Sequence, residues 1–153
     1  MVVNYTRLNS CLIRDQAQVF PTGKEMRQQL GKKCKVWATI DALAAYYHIN
    51  VNKRDQDQTN FMLPKGMYFF KKTVMGNMLC SESWLRASGE VIIGLEGMYK
   101  LMDDLLLGGE DNKQLAERLE KLLATCKDAG MTLSSNKVQL GEKVSFAGYI
   151  IDG

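Results

Sequence analysis

Two β-rich apolar runs in this sequence end on acids, and that pairing limits its possible folds more than any other feature. Val36-Trp37-Ala38-Thr39-Ile40 leads directly into Asp41, and Met98-Tyr99-Lys100-Leu101-Met102 leads into Asp103-Asp104, which Leu105-Leu106-Leu107-Gly108-Gly109 follows at once. Short runs of this residue type are strands. The second and third runs together predict a hairpin with carboxylates at its tip. Carboxylates at the ends of apolar strands repel one another at a cost unless a cation lies between them. Asp is also a common turn residue, so the Asp103-Asp104 pair taken by itself reads first as an ordinary turn.

The remaining segments interleave helices with strands. Phe20 to Leu30 predicts a short helix, with Thr22 and Glu25 as a capping box and Gly31 as its end. Ala42 to Tyr47 suits a turn or a single helical turn, and His48 to Val51 an extended segment. Phe61-Met62-Leu63 turns back through Pro64-Lys65-Gly66 into Met67-Tyr68-Phe69-Phe70 as a hairpin. From Ser81 to about Leu95, Trp84, Leu85, Ser88, Val91, Ile92 and Leu95 recur at helical spacing. A further helix has Asp111 as cap, Gln114 at its third position, Leu115, Leu119, Leu122, Leu123 and Cys126 on one face, and Gly130 as its stop. Lys137 to Leu140 and Val144 to Ile151 are expected to be the closing strands, joined at Gly141-Glu142-Lys143. Met1 to Tyr5 alternates like a strand already under way, and the last apolar run stops two residues before the terminus, so both ends read as cut from something longer. The expected architecture is α+β, with helices packed on one face of a largely antiparallel sheet.

Composition narrows the chemistry. A length of 153 residues with 46% hydrophobic and 24% charged content suits one ordinary domain with a real core. The net charge of +3 is too weak to imply a nucleic-acid partner by itself. Cys11, Cys34, Cys80 and Cys126 form no C-x-x-C pair, so they are expected to be reduced thiols rather than zinc ligands. His48 is the single histidine, which leaves little room for zinc or a His-dependent triad. No run approaches the roughly 20 apolar residues that span a bilayer, and no secretory leader is evident, so an intracellular protein without membrane partners is expected. The chemistry must rest on carboxylates, lysines or hydroxyls.

Magnesium needs only oxygen ligands, commonly one or two carboxylates supplemented by substrate phosphates. Asp41, Asp103 and Asp104 meet that requirement. Several ordered blocks, reaching nearly from end to end, then resemble the reverse transcriptases of gypsy-type retrotransposons. Asn4-Tyr5-Thr6-Arg7-Leu8-Asn9 is similar to their "D-Y-R-x-L-N" segment. Thr39-Ile40-Asp41-Ala42-Leu43-Ala44-Ala45-Tyr46-Tyr47-His48-Ile49 resembles "T-L-D-L-x-x-G-Y-H-Q-I". Phe61 to Phe70 resembles "F-x-T-P-x-G-x-Y-x-F", and Met75-Gly76 stands where the family has "P-M-G" or "P-F-G". Leu101-Met102-Asp103-Asp104 stands at the "Y-x-D-D" box, and Phe146-Ala147-Gly148-Tyr149-Ile150-Ile151 resembles "F-L-G-H-x-I", the primer grip.

The resemblance implies a right-hand polymerase palm with partial fingers. Residues 1–38 and 52–74 would be mainly fingers, and 39–51 and 75–153 mainly palm, ending at the primer-grip hairpin. It implies an RNA-directed DNA polymerase module that transfers dNTPs to a primer 3′ end with two Mg2+ ions, Mn2+ being an alternative. Asp41 and Asp103 would bridge both metals, with Asp104 in support. Tyr46 would be the aromatic gate against a ribose 2′-hydroxyl, with Ala45, Met75 and Gly76 beside the incoming nucleotide. Leu101, Met102, Ala147, Gly148 and Tyr149 would meet the primer and template. Lys137 lies where a palm lysine donates a proton to departing pyrophosphate, and reads equally as a solvated lysine in a turn. Implied partners are an RNA or DNA template with its DNA primer, dNTPs, and the thumb, connection and RNase H parts of a retroelement polyprotein, in the cytoplasm, in retroelement particles or in the nucleus.

This chain departs from the pattern at Leu101, where the family has tyrosine, at Thr73-Val74 in place of Leu-Pro, and at Ala44-Ala45 in place of a small residue and glycine. Lys71, Lys72 and Lys100, with Lys24, Arg27, Lys32 and Lys33, are candidate phosphate contacts or plain surface charge. Two other functions fit the acids. One is a non-catalytic remnant of the palm that binds nucleic acid or protein. The other is a magnesium-dependent phosphohydrolase, for which His48 would be the water-activating base.

Overall fold

The computed structural model of the chain describes residues 3–13, 30 and 33–152. These fall into two compact units, one holding 3–13 and 44–87, the other 30, 33–43 and 88–152. Strands and helices alternate in an α+β fold, as the sequence predicts. Most of the helix expected over Phe20 to Leu30 lies outside the described residues; Leu30 itself is helical and buried. No described helix is long and apolar enough to cross a membrane.

The second unit is built on a four-stranded antiparallel sheet. Its strands are β1 (Val36–Ala42), β4 (Met98–Leu101), β5 (Asp104–Gly109) and β6 (Leu133–Gly141), in the order β4-β5-β1-β6. Period-two alternation divides their side chains between two faces. Val36, Ala38 and Leu107 pack against Leu115 of a helix at Asn112–Asp128, with Met98 and Leu119 at the margin. On the same face as Leu105, its ladder partner Lys100 reaches Ser88, near the C-terminal end of the helix Met78–Ile92. The helix Asn112–Asp128 therefore covers this face, and Ser88 is tied to it through Lys100.

The other face carries Trp37, Tyr99 and Leu106 and is covered by Leu30, Val144 and Phe146. Tyr99 meets the Phe146 ring edge-on, with centroids 6.0 Å apart. Val144 and Phe146 belong to a hairpin of β7 (Lys143–Phe146) and β8 (Tyr149–Asp152). The sequence predicts one strand from Val144 to Ile151, and the structure breaks it in the middle. Ala147 and Gly148 both have positive φ, 49° and 80°, the pattern of a two-residue type I′ turn. Gly148 is the residue suited to that conformation, and Ala147 tolerates it at a cost.

Gly108 and Gly109 let both faces close. A Cβ on Gly108 would lie 2.6 Å from Cζ3 of Trp37, and one on Gly109 would lie 2.8 Å from the backbone nitrogen of Leu115. The helix beyond them starts as expected, with Asp111 accepting a hydrogen bond from the Gln114 amide at 2.8 Å. The Gln114 side chain in turn accepts from the Glu110 amide at 2.8 Å, so the box closes one residue upstream of the cap. Leu115, Leu122 and Cys126 are buried, whereas Leu123 is half-exposed and lies off the packed stripe.

In the first unit, residues 3–5 form no strand, contrary to the alternation at the start of the sequence. Instead a helix, α1 (Thr6–Cys11), begins there, because the Asn4 side chain accepts from the Thr6 amide at 2.9 Å and from its hydroxyl at 2.6 Å. The expected hairpin forms from β2 (Phe61–Leu63) and β3 (Gly66–Tyr68), with Phe61 stacked on Tyr68. Two short 3-10 helices occupy Ala45–His48 and Lys53–Thr59. The helix Met78–Ile92 ends earlier than the predicted Leu95, ahead of Gly94 at φ 83°.

Candidate active site

The acids meet at one end of the Trp37/Leu106 face. Strand β1 pairs with β5 so that Asp41 stands directly opposite Asp104, a register continuous back through Thr39 with Leu106 and Trp37 with Gly108. Directly opposed residues of antiparallel strands share a face. Asp103 occupies the turn beside them, and its carbonyl accepts from the Ala42 amide at 2.8 Å, which fastens the tip of the hairpin to the end of β1. Met102, before it, holds φ at 57°, a left-handed conformation that suits glycine far better than methionine. Non-glycine residues of this kind cluster at functional sites. Among the described residues of this unit they are Met102 and Ala147, on the loops bearing the predicted primer contacts.

An open cleft of about 280 Å³ lies over Asp41 and Asp104, lined also by Lys137, Gln139, Phe146 and Ala147 among others. Lys137 Nζ lies 2.6 Å from Asp41 Oδ2, with the lysine largely exposed and the aspartate 15% exposed. Burial pushes the Asp104 carboxyl above its ordinary pKa, helped by the charge of Asp103 and by a hydrogen bond and charge from Asp41; Lys137 opposes the shift. Asp41 also raises the Lys137 ammonium pKa, through hydrogen bond and charge.

The raised Asp104 value has a consequence for stability. Above its unfolded pKa the unfolded chain has released this proton while the folded chain still holds it, so stability is lost as pH rises from the unfolded value through the raised folded one. Thermal melts of the metal-free chain should fall across that window, and Asp104→Asn should remove this component. A variant whose melts keep the wild-type slope would exclude Asp104 as its source.

Among the described residues no group of three or more His, Cys, Asp or Glu side chains is gathered closely enough to hold a metal ion by itself. Two facing carboxylates with a third on the adjoining turn are instead an open oxygen set, which suits magnesium when phosphates complete its coordination. The donor chemistry fits that ion.

The other predicted contacts divide between the units. Leu101 is half-buried against the Trp37 cluster, and Gly148 and Tyr149 are exposed at and beyond the β7–β8 turn. Ala45, Tyr46, Met75 and Gly76 belong to the first unit. There Ala45 is buried, and the Tyr46 carbonyl accepts from the Thr73 hydroxyl. That bond joins the Tyr46 segment to the one leading to Met75, which is exposed, and Gly76, whose carbonyl accepts from Asn9 at 2.8 Å. His48 stacks on Trp84 and contacts the Ala45 carbonyl at 3.2 Å.

One expectation is overturned. Lys100 is not surface charge: it is half-buried, donates to Ser88 Oγ at 2.6 Å, and desolvation lowers its pKa to about 8. Its position on the helix-covered face decides this. Lys24, Arg27 and Lys32 lie outside the described residues. Sequence reading missed Gln139, which accepts from the Ser145 amide at 3.1 Å and ties β6 to β7 in the cleft. No local signal marks it. Thr39, also in the lining, was legible as the residue two before Asp41 on the same face.

A family model described as reverse transcriptase (RNA-dependent DNA polymerase) matches residues 1–151. The Retrovirus-related Pol polyprotein from transposon 412 of Drosophila melanogaster is 24% identical over 97% of this chain, which spans 12% of that polyprotein. The structure of a foamy viral protease-reverse transcriptase in complex with dsDNA superposes with a TM-score of 0.87 at 21% identity, over 99% of this chain and 32% of that one. The same viral protein in complex with an RNA/DNA hybrid gives a TM-score of 0.85 at 21% identity, over 99% of this chain and 20% of that one.

Proposed function

The chain belongs to the reverse transcriptase (RNA-dependent DNA polymerase) family, and on that premise we propose that it is the fingers-and-palm part of an RNA-directed DNA polymerase that adds dNTPs to a primer 3′ end. The observation that carries the reading is the register setting Asp41 opposite Asp104, with Asp103 on the adjoining turn and an open cleft above. The binding of an RNA/DNA hybrid and of dsDNA by the foamy viral relative supports the choice of a primed hybrid as ligand.

In this reading Asp41 and Asp103 would hold the metal ions and Asp104 would support them, a division suited to its burial and raised pKa. Two bound Mg2+ ions would lower the pKa of the attacking 3′-hydroxyl and neutralise charge on the leaving pyrophosphate. Lys137, 2.6 Å from Asp41, would give a proton to that leaving group. Tyr46, with Ala45, Met75 and Gly76, would line the nucleotide and exclude a 2′-hydroxyl. Leu101, Met102, Ala147, Gly148 and Tyr149 would bear on the primer end. Residues 1–38 and 52–74 are assigned to fingers, and 39–51 and 75–153 to palm.

Calorimetry with Mg2+ and a primed RNA–DNA hybrid, followed by primer extension with dNTPs, tests the proposal. Binding should weaken steeply as salt is raised, because phosphate contacts release counterions, and the primer should lengthen. Hybrid binding with no extension would instead favour a non-catalytic nucleic-acid-binding palm. Absence of both would reject the polymerase reading.

A further inference from the structure

Strand β6 leaves its ladder beside the acids. Between the pairs Thr39 with Gln139 and Asp41 with Ser134, β1 advances two residues while β6 advances five. The intervening residues 135–138 are all exposed and pair with no residue of β1, so they add nothing to the core. From this bulge Lys137 reaches back to Asp41 at 2.6 Å. The far end of the bulge is anchored, since the Gln139 side chain accepts from the Ser145 amide. Bulges re-aim side chains at functional sites, and this one presents a single flexible ammonium to a half-closed carboxylate corner.

The corner needs a cation. Asp41 is 15% exposed and faces Asp104 across the ladder, with Asp103 one residue away, and two or three carboxylates so placed repel one another. Lys137 meets that need while remaining 68% exposed itself, so it can swing into solvent without opening the core. We propose that Lys137 is the resident counter-ion of the acid corner, competing with a divalent ion for the same Asp41 carboxylate and displaced when that ion binds. The proposal rests on the polymerase reading of the three acids. It gives Lys137 a role before any proton transfer: it lowers the affinity of the corner for bare metal, so that metal accompanied by nucleotide phosphates, which add further ligands, is favoured over metal alone.

The test is direct metal binding without nucleotide or primer, read as the loss of the free Mn2+ electron paramagnetic resonance signal on titration with the 153-residue chain. An ion pair with one exposed partner sets the scale, so Lys137→Met should bind Mn2+ roughly two- to fivefold more tightly than wild type. Lys137→Arg, which keeps the charge, should stay within about twofold of wild type on the same scale. Lys137→Gln carries the expectation of the methionine variant should that one fail to fold, as judged by circular dichroism. If both neutral variants bind Mn2+ no more tightly than wild type while Asp41→Asn binds it more weakly, the acids hold metal and Lys137 does not compete. If Asp41→Asn and Asp104→Asn both bind Mn2+ as wild type does, the metal-site reading itself fails, and this inference with it.

Discussion

In the proposed polymerase, Asp41→Asn will leave the second unit folded and reduce primer extension by about 10²- to 10⁴-fold. A metal ligand stabilises the transition state of phosphoryl transfer by several kcal/mol, and each 1.36 kcal/mol is tenfold in rate. The amide matches the carboxylate in shape but cannot supply its charge to two cations. Its effect on folding is small by the same geometry. The substitution removes the Lys137 ion pair, whose lysine is mostly exposed, and also removes a like charge facing Asp104. Activity and stability therefore separate. Single-turnover extension of a labelled DNA primer on an RNA template, beside a thermal melt of each protein, measures both. Extension within tenfold of wild type by a folded variant would remove Asp41 from the metal site.

Leu106→Ala will have the largest effect on stability, about 2–5 kcal/mol, because it leaves a cavity rather than only losing a side chain. Leu106 has no exposed surface and lies in the cluster of Trp37, Tyr99, Val144 and Phe146, two residues along β5 from Asp104 and on the same face. For a chain of this length the midpoint falls by about 2–4 °C per kcal/mol, so a loss of roughly 4–20 °C is expected. Each unit holds one of the two tryptophans. A Trp84→Phe background therefore leaves Trp37 fluorescence to report unfolding of the unit that carries the acids. Ile150→Ala, at a position 68% exposed, is the control and should stay within about 0.5 kcal/mol. A Leu106→Ala loss no larger than the control would mean that this cluster does not support the sheet.

The strands of the acid-bearing unit were legible because their information is local. Val36 to Ile40 and Leu105 to Leu107 are apolar, β-prone and bounded by acids or glycines, and each forms the expected strand. The hairpin ending at Asp103, the Asp111 cap and the Gly130 stop were legible for the same reason. The break within the run Val144 to Ile151 could not be read from its residues, because the turn puts Ala147 at positive φ, against the preference of the residue itself. Lys100 misled because its neighbours in sequence do not reveal which face of the sheet a helix covers.

The strand-forming runs, the three acids at their ends and, through ordered blocks along the chain, the reverse transcriptase family can all be read from residue order. That Asp104, and not Asp103, stands opposite Asp41, and that Lys137 occupies the Asp41 carboxylate, emerges from the folded chain alone. The reason is physical. Propensity and alternation are set by residues a few positions apart, whereas register joins residues far apart in sequence and follows from which buried faces can be closed together. Here Trp37 over Gly108 and Leu106 beneath Phe146 set that register, and the acids take their places at its end.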